Sequence, residues 1–184
     1  MANIAILGWG SLINEPGTLK IEGGWQTGGP ILPIEYSRIS QSRDGALTLV
    51  IDPVHGTLVE TFFAKSGCTE VSAAVADLQN RERTSEQRIG FVDLLTRTTR
   101  AAHAEIQSVI EKWTKNNDFD AAIWTDLSSN FAEKSGCGEF SIENAISYLN
   151  HLPDKGRRQA LYYFDITHEQ IVTELRKAFF AKNI

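Results

Sequence analysis

The amino-acid sequence predicts a single α+β domain, and three observations lead to this expectation. Before residue 69 the chain carries short apolar runs, alternating or continuous, which are typical of β-strands. From residue 69 onward, apolar residues recur mainly at helical spacing, interrupted by further short runs that indicate strands. Neither a repeat nor a low-complexity tract or charged linker divides the chain, so one domain over residues 1–184 is the simplest prediction.

The strands follow from these runs in chain order. The apolar residues 3–7 predict a buried strand that ends in a glycine loop, which we define as residues 8–12, Gly-Trp-Gly-Ser-Leu. Residues 17–33 contain five glycines and two prolines, and they predict an irregular segment. The remaining predicted strands are residues 34–40, 47–51, 57–64, 89–95 and 121–125, with hairpin connections at residues 44–45 and 52–56.

The helices are predicted from apolar stripes and caps. Thr69 is a predicted N-cap, after which Val71, Val75 and Leu78 form one apolar stripe that runs to about Arg83. The strongest amphipathic pattern covers residues 99–116. Further helices are predicted over residues 141–152, 154–164 and 169–181, the last after a capping box at residues 167–170.

Composition and charge exclude several classes of protein. The net charge of −5 lacks the basic excess that binding along nucleic-acid phosphates requires. The apolar start has no Lys or Arg before it and contains glycines, so we expect neither a signal peptide nor a membrane span, and we predict a cytoplasmic location. The two cysteines are expected as reduced thiols, and no histidine or cysteine spacing is typical of a metal site. We therefore predict no nucleic-acid partner, no membrane partner and no metal.

One acidic residue stands at the end of the first predicted helix. Four residues after Leu78 the apolar stripe continues onto Glu82, which places this carboxylate on the core side of the helix. Arg81 and Arg83 fall on other faces, so neither is automatically its ion-pair partner. A carboxylate withdrawn from water can exchange protons with a ligand. The alternative is a helix that ends by Asn80 and leaves Glu82 in solvent, bonded to an arginine.

The glycine loop is a second candidate. Two positions without side chains would let backbone N–H groups approach a ligand carboxylate or a developing oxyanion. The loop is not a dinucleotide-binding fingerprint, because Ile13 stands at the third glycine position and Pro16-Gly17 prevents the helix that should follow. A plain structural turn explains the same residues.

Two weaker groups of candidates lie outside these segments. Arg38, Ser40 and Arg43 follow an alternating strand and could meet an acidic ligand, although a strand with one solvated face carries the same residues. Cys137 lies in a glycine-containing loop, and no histidine is tied to it in the sequence. A core or surface role is therefore as good an interpretation of these residues as a chemical one.

Taken in order, the first strand with its glycine loop and the later segment Asp-Leu-Gln-Asn-Arg-Glu-Arg at residues 77–83 resemble the γ-glutamylcyclotransferase-like family. Residues 33–40, 47–50 and 122–125 are similar to the pattern of its bacterial members, so the resemblance spans residues 3–125. It implies a mixed, barrel-like β-sheet flanked by helices as the core. Residues 139–184 then form a C-terminal helical extension of the same domain.

The resemblance also implies an activity and a site. In this family an aromatic-Gly-Ser-Leu loop, here Trp9, Gly10, Ser11 and Leu12, holds a γ-glutamyl group. A glutamate after a helix of this type, here Glu82, is the catalytic acid and base. The implied reaction cyclises a γ-glutamyl amine, amino acid or peptide to 5-oxoproline and releases the amine, without a cofactor.

The partner expected from this resemblance is a small γ-glutamyl substrate, and Arg38 or Ser40 could supplement the loop in binding it. The sequence departs from the family at three positions. Trp9 stands where tyrosine is common, Arg83 follows the glutamate where glycine is frequent, and Phe91 takes the place of a downstream tyrosine. These departures leave an alternative open, a non-catalytic protein of the same fold that binds a small acidic metabolite.

Overall fold

Two groups of chain segments make up the protein, for which a computed structural model describes residues 1–181. The first unit contains Met1–Ile31 and Glu60–Leu127, and the second contains Leu32–Val59 and the chain from Ser128 onward. Residues 32–59 thus group with the C-terminal helices, whereas the sequence assigns them to the core. The structure is α+β, as predicted.

Nine β-strands and seven α-helices lie among residues 1–181. The strands are β1 (Ile4–Gly8), β2 (Ile21–Gln26), β3 (Ile31–Ile39), β4 (Leu47–Ile51), β5 (Thr57–Glu60), β6 (Phe62–Ser66), β7 (Ile89–Asp93), β8 (Thr98–Arg100) and β9 (Ala121–Thr125). The helices are α1 (Ser11–Asn14), α2 (Val71–Glu82), α3 (Ala104–Asn116), α4 (Phe131–Lys134), α5 (Ile142–Asn150), α6 (Asp154–Ile166) and α7 (Glu174–Ala181).

A six-stranded mixed sheet is the framework of the first unit. Its strand order is β2-β6-β1-β9-β7-β8. The central strands β1 and β9 run parallel, and the other neighbouring strands run antiparallel. Because β2 and β8 are edge strands that do not pair with each other, the described residues form an open sheet. The closed, barrel-like sheet implied by the resemblance is therefore corrected to an open one.

Helices cover both faces of this sheet. The apolar stripe of α2, which includes Val75 and Leu78, packs on the face that carries Ile4 and Ile6 of β1 and Ile123 of β9. On the other face, the aromatic rings of α3 and the segment after it pack against a ring of β6. Each large apolar side chain buried in this way contributes roughly 1.5–3 kcal/mol relative to an exposed one. The sheet and α2 thereby form a rigid support for the residues at their ends.

A three-stranded sheet with the order β4-β3-β5 organises the second unit. Its middle strand, β3, is almost fully buried. Tyr36 of β3 stacks on Phe164 of α6 at a ring distance of 4.2 Å, and its hydroxyl donates a hydrogen bond to Thr167 Oγ1 at 2.8 Å. The carboxylate of Glu35 accepts from the backbone N–H of Leu175 in α7. The C-terminal helices therefore build the core of this unit together with β3.

The predicted strands over residues 3–7, 34–40, 47–51, 89–95 and 121–125 are confirmed, with shifts of their ends. The single strand predicted over residues 57–64 is wrong, because the chain breaks at Thr61 into β5 and β6, which belong to different sheets. The irregular segment predicted over residues 17–33 contains the edge strand β2. The hairpin expected at residues 52–56 is also wrong, since β4 and β5 lie on opposite sides of β3.

The helix boundaries show three further corrections. Thr69 is not the N-cap of α2, because the helix begins at Val71 with Glu70 as its N-cap residue. The pattern over residues 99–116 contains β8 before α3 begins at Ala104. The last helix begins at Glu174, where Thr173 Oγ1 accepts the backbone N–H of Arg176, so the predicted cap at Thr167 is wrong. Thr167 is instead the C-cap residue of α6, and its hydroxyl accepts from Tyr36 and donates to the backbone oxygen of Tyr163. No helix among residues 1–181 combines the length and apolar character needed to cross a bilayer.

Candidate active site

The candidate site lies at the sheet edge where β1 and β9 end. Because these strands are parallel, their carboxyl ends, Gly8 and Thr125, lie at the same edge. β7 starts at this edge, since Ile89 pairs with Thr125. α2 ends shortly before β7 and so brings Glu82 to the same edge. The topology thus gathers the two motifs of the sequence, the glycine loop and Glu82, at one end of the first unit.

The glycine loop turns directly into a short helix. α1 begins at Ser11 with Gly10 as its N-cap residue, and the N–H of Ile13 donates to Gly10 O at 3.2 Å. The N–H groups in the first turn of a helix, that of Leu12 among them, make no hydrogen bond to an earlier turn of the same helix. The loop therefore has the backbone arrangement that could meet a ligand oxygen.

Gly8 is required by packing rather than by a ligand. A Cβ atom at Gly8 would lie 2.7 Å from the indole ring of Trp25 in β2, which is far closer than van der Waals contact. Trp25 also packs against the core under α2. The space beside Gly8 is thus filled by the protein itself. Of the two loop glycines that the sequence offers for close approach by a ligand, only Gly10 keeps that role as a prediction.

Glu82 is the last residue of α2 and is largely withdrawn from solvent. Only 17% of its side chain is exposed. The helix does not end by Asn80 but continues through Glu82, after which Arg83 adopts a left-handed conformation with φ 50° and ψ 46°. The alternative interpretation, a solvated Glu82 bonded to an arginine, is nevertheless correct in one respect, because an arginine pairs with Glu82.

Arg81 is this partner, and it also ties Glu82 to the segment after β1. Its Nη1 donates to Glu82 Oε1 at 2.5 Å. Its Nη2 donates to the backbone oxygen of Glu15 at 2.5 Å and, over 3.4 Å, to Ser11 Oγ. The Arg81 side chain is 14% exposed, so these charge-assisted hydrogen bonds are less screened than those of a surface pair. Glu82 Oε2 accepts no hydrogen bond from the described part of the chain.

Helical spacing makes neither flanking arginine an automatic partner of Glu82, and the structure pairs Glu82 with Arg81. Adjacent helix positions do not face each other. Here the Arg81 side chain extends across the end of α2 to bond with Ser11 and Glu15, and in this conformation its guanidinium also contacts the Glu82 carboxylate. Arg83 is exposed, as expected for a residue on another face. Helical spacing alone could not reveal the pairing, because it depends on the loop.

The other predicted loop residues are buried. Trp9, Ser11 and Leu12 are each less than one-tenth exposed. The Leu12 side chain belongs to the core under α2, so only its backbone remains to meet a ligand. The Ser11 hydroxyl faces the Arg81 guanidinium. Binding of a ligand by these residues stays a prediction.

Arg38, Ser40 and Cys137 belong to the second unit. Arg38 Nη1 donates to the backbone oxygen of Ser128 at 2.7 Å. The hydroxyl of Ser40 shares a hydrogen bond with Ser42 in the connection between β3 and β4. The thiol of Cys137 is 3.7 Å from a backbone oxygen of its own loop. Each residue thus has a local structural contact, and its predicted chemical role is untested.

Two hydroxyl groups that the sequence did not single out lie at the same sheet edge as Glu82. Thr84 follows the end of α2, and Thr125 ends β9. Both Oγ1 atoms are buried and lack a hydrogen-bond partner among residues 1–181. Buried polar groups are usually paired, so such groups are notable near a candidate site. Thr125 ends the segment of residues 122–125 that belongs to the resemblance, but only the strand register places its hydroxyl at this edge.

Two open cavities of the first unit lie at the opposite sheet edge, where β1 begins and β7 ends, and have volumes of about 590 Å³ and about 530 Å³. In the wall of the larger cavity, Lys65 and Glu22 pair with each other at 2.8 Å. Within the described part of the chain, unpartnered buried polar atoms occur at both edges, Asn3 Oδ1 at the larger cavity and the hydroxyls of Thr84 and Thr125 at the edge of Glu82. The case for the latter edge therefore rests on Glu82 and the glycine loop.

No family model, curated protein or solved structure matches this chain.

Proposed function

We propose that this chain is a γ-glutamylcyclotransferase-like enzyme that converts a γ-glutamyl amine, amino acid or peptide to 5-oxoproline. One observation carries the proposal. Glu82, the proton carrier implied by the sequence resemblance, is partly buried and lies within reach of the segment that follows β1, to which Arg81 joins it. A solvated glutamate remote from the glycine loop would have removed the basis for this function.

The reaction needs few catalytic groups. The α-amine of the substrate attacks its own γ-carbonyl carbon, a five-membered lactam closes, and the bond from that carbon to the departing nitrogen breaks. Because nucleophile and electrophile belong to one molecule, a well-oriented attack can reach an effective molarity of about 10⁵ M or more. The enzyme then has to hold one substrate conformation and move protons.

Glu82 is the group that moves the protons in this proposal. Its carboxylate accepts a proton from the α-ammonium, which makes the amine a nucleophile. The same group then donates a proton to the nitrogen that leaves. Oε2 is the acceptor best suited to this task, since Oε1 is engaged by Arg81. General acid–base catalysis of this kind contributes roughly 10²- to 10⁴-fold.

The backbone N–H groups of the loop complete the proposed site. Those of Gly10, Ser11 and Leu12 would hold the substrate carboxylate or stabilise the oxyanion of the tetrahedral intermediate. Trp9 would shape the pocket on the loop side. The buried hydroxyls of Thr84 and Thr125 offer further hydrogen bonds at this edge. No metal or cofactor takes part in these steps.

The test uses a panel of γ-glutamyl dipeptides and γ-glutamyl amines, with 5-oxoproline as the measured product. We expect turnover by the parent protein and a loss of about 10²- to 10⁴-fold in Glu82→Gln. Glu86→Gln is the matched control, because Glu86 is a nearby exposed acid paired with Arg100. A dipeptide with an acetylated α-amine should not react. Equal rates for Glu82→Gln and the parent would remove Glu82 from the mechanism.

A second candidate is a non-catalytic protein of this fold that binds a small acidic metabolite. The Arg81 guanidinium at the site favours it, since arginine is suited to binding carboxylates. This function predicts that an acidic metabolite raises the melting temperature and that no 5-oxoproline is formed from any member of the panel. Turnover that depends on Glu82 would exclude it.

A further inference from the structure

We infer that Arg81 is a positioning residue, which fixes the Glu82 carboxylate and the segment after β1 in one arrangement. This inference rests on the proposed function for its chemical meaning. Its structural basis is a single guanidinium that contacts both parts of the candidate site. Neither the apolar stripe of α2 nor the glycine loop by itself would align the base with a bound substrate.

The two carboxylate oxygens of Glu82 have different surroundings. Oε1 carries the hydrogen bond from Arg81 Nη1, whereas Oε2 accepts none from the described residues. A terminal glutamate of a helix can normally occupy several side-chain rotamers. The bond to Oε1 restricts these rotamers and leaves Oε2 as the oxygen that meets the substrate ammonium.

Arg81 also contacts the segment after β1. Arg81 Nη2 donates to the backbone oxygen of Glu15, just beyond the end of α1, and contacts the hydroxyl of Ser11 at its start. The two nitrogens of a planar guanidinium keep a fixed separation. Arg81 therefore holds α1 and the end of α2 at a fixed distance. A substrate held by the loop amides would then present its ammonium to Oε2 in the same position in every catalytic cycle.

A lysine at position 81 could not make all the contacts of the arginine. A lysine ammonium carries the charge but lacks the rigid fork that reaches two sites at once. Arg81→Lys should therefore keep a positive charge beside Glu82 and lose part of the link to Ser11 and Glu15. Arg81→Met loses both. Arg83→Met is the matched control, because Arg83 is the exposed neighbour in the same short segment.

The experiment measures kcat and KM for 5-oxoproline formation in the parent and these three variants. We expect a loss of about ten- to hundredfold in Arg81→Met, since a hydrogen bond to a charged group is removed. The loss should fall mainly on kcat, because a misaligned base slows proton transfer. Arg81→Lys should lie between parent and Arg81→Met in rate, because it keeps the charge and loses the rigid fork. Arg83→Met should match the parent.

A second measurement does not need turnover. Hydrogen exchange of the backbone amides over residues 10–15 should be faster in Arg81→Met than in the parent and in Arg83→Met, because the link to the loop is lost. Turnover with an unchanged kcat and unchanged exchange in Arg81→Met would overturn the inference. Absence of turnover in the parent, together with faster exchange in Arg81→Met, would instead refute the proposed function and leave Arg81 as the link between the two segments.

Discussion

Glu35 shows how a single buried carboxylate makes the stability of this protein depend on pH. It lies on β3 with no solvent exposure. Burial raises the pKa of Glu35, and hydrogen bonds from Thr173 and from the backbone of Tyr36 and of α7 oppose this rise only in part. The folded protein thus binds a proton at Glu35 more tightly than the unfolded chain does. The stability contributed by this group is complete below the usual glutamate pKa and is lost as the pH rises through the raised value.

The prediction concerns Glu35→Gln, which keeps the shape of the side chain and removes its ionisation. As the pH rises above the usual glutamate pKa and through the raised one, the free energy of unfolding of the parent should fall relative to that of the variant, by about 1.4 kcal/mol for every pH unit by which the pKa is raised. Denaturant unfolding at several pH values measures the difference. Glu169→Gln, at an exposed site of the same unit, should show no such trend. A difference between parent and Glu35→Gln that stays constant with pH would contradict the assignment.

At the scale of elements, the pairing of β7 with β9 depends on a residue without a side chain. Gly90 lies opposite Trp124, and a Cβ atom at Gly90 would come within 2.2 Å of the indole ring. We expect Gly90→Ala to destabilise the protein by about 1–3 kcal/mol, because the buried ring cannot move without displacing its neighbours. In the double variant with Trp124→Phe, the loss of stability should be smaller than the sum of the two single losses. Strict additivity in urea unfolding would show that the two residues do not compete for space.

The elements also show what the sequence could and could not predict. Strands with continuous burial, such as β1 and β9, were predictable because an apolar run needs no partner to be recognised. β2 was not, because Gly23 and Gly24 interrupt the run and leave only Ile21 and Trp25 as apolar positions of this edge strand. In the site, periodicity placed Glu82 on the core side of α2. The bridge from Arg81 to Glu15 joins residues far apart in the chain, and no local pattern encodes it.

At the scale of the whole molecule, the structure assigns the C-terminal helices a role that the sequence did not suggest. The resemblance implies a core over residues 3–125 with a helical extension over residues 139–184. In the second unit, however, those helices bury the middle strand of the small sheet. Tyr36 stacks on Phe164, its hydroxyl donates to Thr167, and Glu35 accepts from Leu175. Removal of the helices would leave this strand without its partners.

A chain that ends at residue 138 tests this role. We expect it to lose cooperative unfolding of the small sheet, because a buried tyrosine hydroxyl, a buried carboxylate and several apolar side chains of β3 would all lose their partners at once. Limited proteolysis should then cut within residues 32–59, which should be protected in the full chain. Tyr36→Phe in the full chain is the milder control, since it removes only the hydroxyl bond. If the shortened chain unfolded cooperatively and kept residues 32–59 protected, the helices would be an extension in the sense that the sequence implied.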